Sequence, residues 1–323
     1  MKARPLTAMV LTVIGTVGLA ETPKKIDPQE QAIRRLIRQL DADTFEQREL
    51  AHRALLKLGQ TALKPLQQVA RDRRAPPEQR SRAAHIVDRV IHQLIYKGFR
   101  ELAALPDEKV DLEHGMWLIS LTTNPHVRRS DISKTFERLA EQVRKKLAPK
   151  KPEEAAPSEM VEALRQVVFV EFGLRGNTED YRNPHNSSLE KVLETRKGLP
   201  ILVSHVLVAV AKRVPAPIVG LPTPGRYTAM YDGAQAPEGF PKDNLYIDPF
   251  GDGKVLTLEE LDDLISGLDP KRHLQPSSQK LVLVRMMNNL ETHLEWRGEF
   301  RKSENVGKYR RLLESKHSSM PLH

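Results

Sequence analysis

The sequence predicts an α+β fold that is mostly helical. Three observations carry that reading. Amphipathic helical spacing runs from Ile26 to about Tyr96 with further helices read up to Phe172, three short extended segments lie between Gly- and Pro-rich turns over residues 217–248, and a helical pair closes the chain. Hydrophobic residues make up 39% of the 323 and charged residues 29%, so a core can form and collagen, a disulfide scaffold and wholesale disorder are excluded.

The elements follow in order. Lys2 and Arg4 precede an apolar or small run from Leu6 to Leu19, and Gly18-Leu19-Ala20 sets small residues before Glu21. Residues 1–20 are therefore expected to be a secretory signal peptide, with an uncleaved anchor as the alternative. The mature protein is expected to be exported, periplasmic or extracellular, without stable membrane insertion. Ile33, Leu36, Ile37 and Leu40 then mark one buried helical face. Asp43-Thr44 caps a second helix closed by Gly59, Thr61–Arg73 forms a third, and Pro76-Pro77 opens a fourth that continues through Leu94. Short helices joined by tight turns resemble a HEAT-like helical-hairpin module over residues 26–100, with too few hairpins for a long solenoid.

Arg71, Arg73, Arg74, Arg80 and Arg82 cluster around one turn, within a chain whose net charge is +9. Nucleic-acid binding would want stacking aromatics or a recognised motif there, and both are missing. The patch reads as a solvated face or a docking surface for an acidic partner. Further helices are expected at 111–123, 130–147, 161–172 and 188–197, with a mobile Pro- and charge-rich loop at 148–157 and an Asn-rich polar loop at 176–188. Pro200 starts a very apolar helix, Ile201–Val214. Extended segments follow at Pro217–Leu221, Arg226–Tyr231 and Leu245–Asp248, and Asp252 reads as a hairpin turn. Thr257-Leu-Glu-Glu restarts a helix as a capping box, and Leu281–Trp296 with Ser303–Leu313 form the closing pair. The expected divisions are 26–100, 101–270 and 271–323.

Several motifs agree in order and spacing. Phe172-Gly-Leu-Arg-Gly-Asn-Thr-Glu-Asp-Tyr181, Asn183-Pro-His-Asn-Ser-Ser188, Leu193-Glu-Thr-Arg-Lys-Gly-Leu-Pro-Ile201, Pro224-Gly-Arg-Tyr227 and Ile247-Asp-Pro-Phe250 resemble the SirB-type branch of the transglutaminase-like superfamily. Val284-Arg-Met-Met-Asn-Asn-Leu290 resembles the tetratricopeptide-like tail of that branch. The resemblance covers about residues 110–315 and implies a papain-like core with a small antiparallel sheet. In active members of the superfamily, a Cys opens a helix packed on the sheet. A His and an Asp on successive strands activate that thiol. The matching positions here are Pro200 or its neighbour, Arg226 and Asp248. The chain contains no cysteine at all, and a guanidinium that stays protonated cannot act as a general base.

The resemblance thus implies a non-catalytic binding or scaffold protein with a protein or peptide partner and no cofactor. The alternative is a hydrolase or transferase with a non-cysteine site around Ser204, His205 and Asp248. Adjacent helical residues point about 100° apart, which argues against a Ser204–His205 pair and favours Ser204 in a helix interface with His205 at its edge. His185 is expected at the surface, and the 11 histidines show no zinc spacing. Asn177, Asp180, Tyr181, Asn183, Asn186 and Ser204 are candidate ligand contacts. The Asn and Asp side chains could equally tie down their own loop. Should Arg226 and Asp248 lie on neighbouring strands, a salt bridge would replace the His–Asp contact.

Overall fold

The computed structural model describes residues 27–223, 225–266, 268–269 and 274–314. The leader expected at 1–20 lies outside the described residues, as does Pro224 of the Pro-Gly-Arg-Tyr motif. The chain is mostly helical with a small antiparallel sheet.

Helix α1 (Pro28–Gln39) begins behind Asp27, whose carboxylate accepts from Gln29 N at 3.1 Å. Helix α2 (Phe45–Leu58) is capped by Thr44 and stops at Gly59, whose φ of 55° suits a residue without Cβ. Helix α3 (Gln60–Arg71) follows directly, and α4 (Pro77–Ala104) starts with proline at its first position. α1 packs on α2, and α3 on α4. α4 runs to Ala104, beyond the expected module end at 100, because Phe99, Leu102 and Ala103 continue its buried face. Gly98 lets it approach helix α5 (Leu112–Leu121), since a Cβ there would lie 2.7 Å from Leu118 Cδ1.

After α6 (Arg129–Leu147), the 148–157 segment makes a 3-10 turn, buries Ala155 and pairs Lys150 with Glu159 at 2.7 Å. Helix α7 (Pro157–Arg165) passes into a π-helical turn, Gln166–Glu171, where a single helix was expected. The sequence pattern also missed a parallel pair of two-residue strands, β1 (Arg175–Gly176) and β2 (Lys197–Gly198), which flank α8 (Leu189–Thr195). Such short strands are too brief for an alternating pattern to register.

Helix α9 (Pro200–Ala211) is buried along its whole length. Fully burying each Val or Leu stabilises by about 1.5–3 kcal/mol, so this helix anchors the core. It packs on β3 (Ile218–Leu221) and β4 (Thr228–Tyr231). With β5 (Leu245–Asp248) and β6 (Lys254–Val255) these form an antiparallel meander, with Leu221 opposite Thr228, Ala229 opposite Ile247 and Ile247 opposite Val255. Thr257 and Glu260 close a capping box on α10 (Leu258–Ile265).

The closing pair, α11 (Gln279–Trp296) and α12 (Phe300–Glu314), returns to the start of the chain. Asp107 accepts from Gln279 N at 2.8 Å and Lys280 N at 3.0 Å, and α12 packs on α4. Gly115 lets α5 meet α11, because a Cβ there would stand 2.5 Å from Leu283 Cδ1. No helix among the described residues is long and apolar enough to cross a membrane.

Candidate functional site

Pro200, which with its neighbour was expected to match the nucleophile position, occupies the first position of α9. Its ring carries no nucleophile and no N–H, so one of the free donors that would favour a thiolate at a helix start is also missing. Arg226 lies in the turn two residues before β4, rather than on the strand expected from Arg226 to Tyr231. Asp248 ends β5.

The Arg226 guanidinium makes an ion pair with the Asp248 carboxylate. Asp248 keeps 6% of its side chain exposed, against 50% for Arg226, so a half-solvated cation covers a buried anion. The other Asp248 carboxylate oxygen accepts from Phe250 N at 3.1 Å and holds the turn after β5. Phe250 then lies over Gly176 of β1, where any Cβ would overlap its ring. A side chain at residue 176 would therefore have to displace the Phe250 ring of the Ile-Asp-Pro-Phe turn. That coupling joins two motifs seventy-odd residues apart, and no local pattern could have revealed it.

Beside the ion pair opens a groove of about 370 Å3, lined by Arg226, Asp248, Lys254, Glu260, Asp263 and apolar neighbours. Lys254 pairs with Glu260 across it. Neither Pro200, Ser204 nor the Asn-rich loop lines this groove.

Ser204 and His205 point into the core. Ser204 Oγ donates to the Tyr227 carbonyl at 2.6 Å. His205, expected at the helix edge, is instead only 4% exposed, with Nε2 3.3 Å from the Tyr227 hydroxyl and Nδ1 without a partner. The reason is close packing: Gly220 leaves the space into which the Tyr227 ring and His205 fit. Burial, reinforced by Lys212, holds the imidazole down at about 3. The same burial pushes the Tyr227 phenol up to about 12, against a hydrogen bond with Ser277 and the nearby Arg285. A neutral imidazole and a neutral phenol result. Among the described residues Ser204 contacts backbone carbonyls and no base, and Asp248 contacts Arg226 and Phe250.

The Asn-rich loop fastens itself. Asn177 Nδ2 donates to Asn186 Oδ1 at 2.8 Å, and Asn186 Nδ2 donates to the carbonyls of Asp180 and Tyr181. Asn183 Nδ2 donates to Asp180 Oδ2 at 2.9 Å, and the Asn186 carbonyl accepts from Leu199 N just ahead of α9. The polar atoms of Asn177, Asn186 and Ser204 are thus taken up inside the chain. Asp180, Tyr181 and Asn183 remain as accessible candidates, and His185 is exposed. Asp180 also pairs with Arg297 of the closing pair, at 3.1 Å.

A buried helix packed against an antiparallel meander, with Asp248 ending one strand, is the arrangement that a transglutaminase-like domain would have. Residues 130–288 match the family model described as Transglutaminase-like superfamily, so the chain contains a domain of that superfamily. The chain is 27% identical over 216 residues to a UPF0162 protein of Xylella fastidiosa, covering 63% of this chain and 72% of that protein. A UPF0162 protein of Vibrio cholerae is 22% identical over 195 residues, 58% of this chain and 67% of its own length. F-box only protein 21 of Mus musculus is 31% identical over 134 residues, 41% of this chain but 21% of that protein. No solved structure matches.

Proposed function

We propose that this is an exported, non-catalytic protein of the SirB-type branch, in which a transglutaminase-like domain between HEAT-like and tetratricopeptide-like helices binds a protein or peptide partner. One observation supports the reading: a guanidinium sits against Asp248, and it belongs to the residue that the resemblance matches to the catalytic histidine. A permanently protonated group cannot take a proton from a nucleophile, and the helix start it would serve is a proline. The hydrolase alternative loses its footing because Ser204 and His205 both bond Tyr227 in the core. The matching stretch forms a fifth of the much longer mouse relative, which suits a domain used as one part among others.

The test is incubation of the purified protein with amine donors, glutamine-containing peptides and cell-wall fragments, with products read by mass spectrometry. No covalent product is expected. Turnover that disappears in Asp248→Ala would overturn the proposal.

A further inference from the structure

A cleft of about 390 Å3 opens between α3, α4, the turn after α5, and α12, and every residue lining it lies outside the 130–288 match. Its floor is apolar, from Val87, Ile91 and Ile95 of α4 with Leu121 of α5. Its rim is basic: Asp88 is the one acid among lining residues that include Arg71, Arg301, Lys302 and two histidines.

Arg71 stands near enough to His126 that its charge adds to burial in holding the imidazole below its ordinary value. Among the described residues neither side chain has an ion-pair partner. Arg82 of the same cluster pairs with Glu49 and Glu78 and Arg80 donates to the Arg73 carbonyl, whereas Arg71, which alone of the cluster lines the cleft, makes no such contact. At the far end Arg301 reaches Asp88 at 4.0 Å.

The walls are fixed in place. Gln67 Nε2 donates to the Pro125 carbonyl at 2.7 Å and Trp117 Nε1 to the Val127 carbonyl at 3.1 Å. Asn124 Nδ2 donates to Glu190 at 2.9 Å, so three helices hold the turn that carries His126. His92 Nδ1 and the Tyr309 hydroxyl, 2.5 Å apart, tie α4 to α12. A preformed pocket with an apolar floor, a few convergent polar groups and a volume within roughly 300–1,000 Å3 is what small-molecule sites share.

We propose that this cleft binds a small amphipathic carboxylate, its apolar body on Val87, Ile91, Ile95 and Leu121 and its carboxylate between Arg71 and His126. The unpaired guanidinium selects the anion, and the apolar floor selects against a small, fully hydrated one. The site does not depend on whether the transglutaminase-like domain is catalytic.

The full chain titrated with octanoate, followed by NMR of the Trp117 indole and the Thr122, Thr123, Asn124 and His126 amides, tests this. Saturable shifts are expected for octanoate, none for inorganic phosphate at equal concentration, and far weaker binding for 1-octanol. Arg71→Ala should weaken octanoate about tenfold while leaving 1-octanol unchanged. Ala84→Phe, at an exposed lining position, should block both ligands without disturbing the fold. Equal affinity for octanoate and 1-octanol, or an Arg71→Ala variant that binds normally, would overturn the proposal. Tighter binding of a short peptide ending in a leucine carboxylate would overturn the assignment to a free acid.

Discussion

Ser204 Oγ donates to the backbone carbonyl of Tyr227, joining the buried helix to the residue that follows Arg226. Replacing Ser204 by Ala leaves that buried acceptor without this donor. The variant is expected to lose about 1–3 kcal/mol of stability, measured by urea denaturation. A fluorophosphonate should leave Ser204 unlabelled, because no base is placed to take its proton. Stoichiometric labelling there would restore the hydrolase reading.

The neighbouring His205 sets a dependence on pH. Its ordinary value of 6.5 applies in the unfolded chain, while burial holds it at about 3 in the folded one. Below pH 6.5 the unfolded state takes up a proton that the folded state refuses. The contribution is therefore complete above pH 6.5 and is lost as pH falls toward 3, at up to about 1.4 kcal/mol per pH unit. His205→Gln should flatten the stability profile across that window relative to the unaltered protein. An unchanged slope would show that other groups set it.

Arg226 and Asp248 make unequal contributions. Because half of the guanidinium is solvated, a double-mutant cycle should give a coupling of about 1 kcal/mol or less. Asp248→Ala should cost more than Arg226→Ala, since it also releases the Phe250 amide that shapes the turn after β5. Equal losses would mean that the turn does not rely on that carboxylate.

Gly176→Ala should be among the more damaging small substitutions. The added methyl would have to displace the Phe250 ring, and overpacking of this kind costs about 1–3 kcal/mol. Phe250→Leu in the same chain should recover part of the loss, a rescue visible in thermal melts. No recovery would place the strain elsewhere.

The helices were legible because their caps and apolar spacing are local: Thr44, Gly59 and the Thr257–Glu260 box each act within a turn. The antiparallel strands β3, β4 and β5 were legible for the same reason, bounded by Gly and Pro. The Arg226–Asp248 contact was open as one possibility, tied to neighbouring strands, and it forms with Arg226 in the turn before β4 instead. What stayed hidden depends on distant partners. His205 looked like an edge residue because nothing near it in sequence reveals Gly220 and Tyr227 closing over it. The Arg71–His126 corner joins residues from two elements and carries no motif.

Asp107 holds the first amides of α11, while α5 and α11 touch through Gly115 and Leu283. The chain therefore leaves α5 and comes back to it at α11, within which the 130–288 match ends. The buried side chains of the helices and of the meander form one continuous apolar cluster, so the closing pair locks the first and last helices and the segment between them into a single cooperative body.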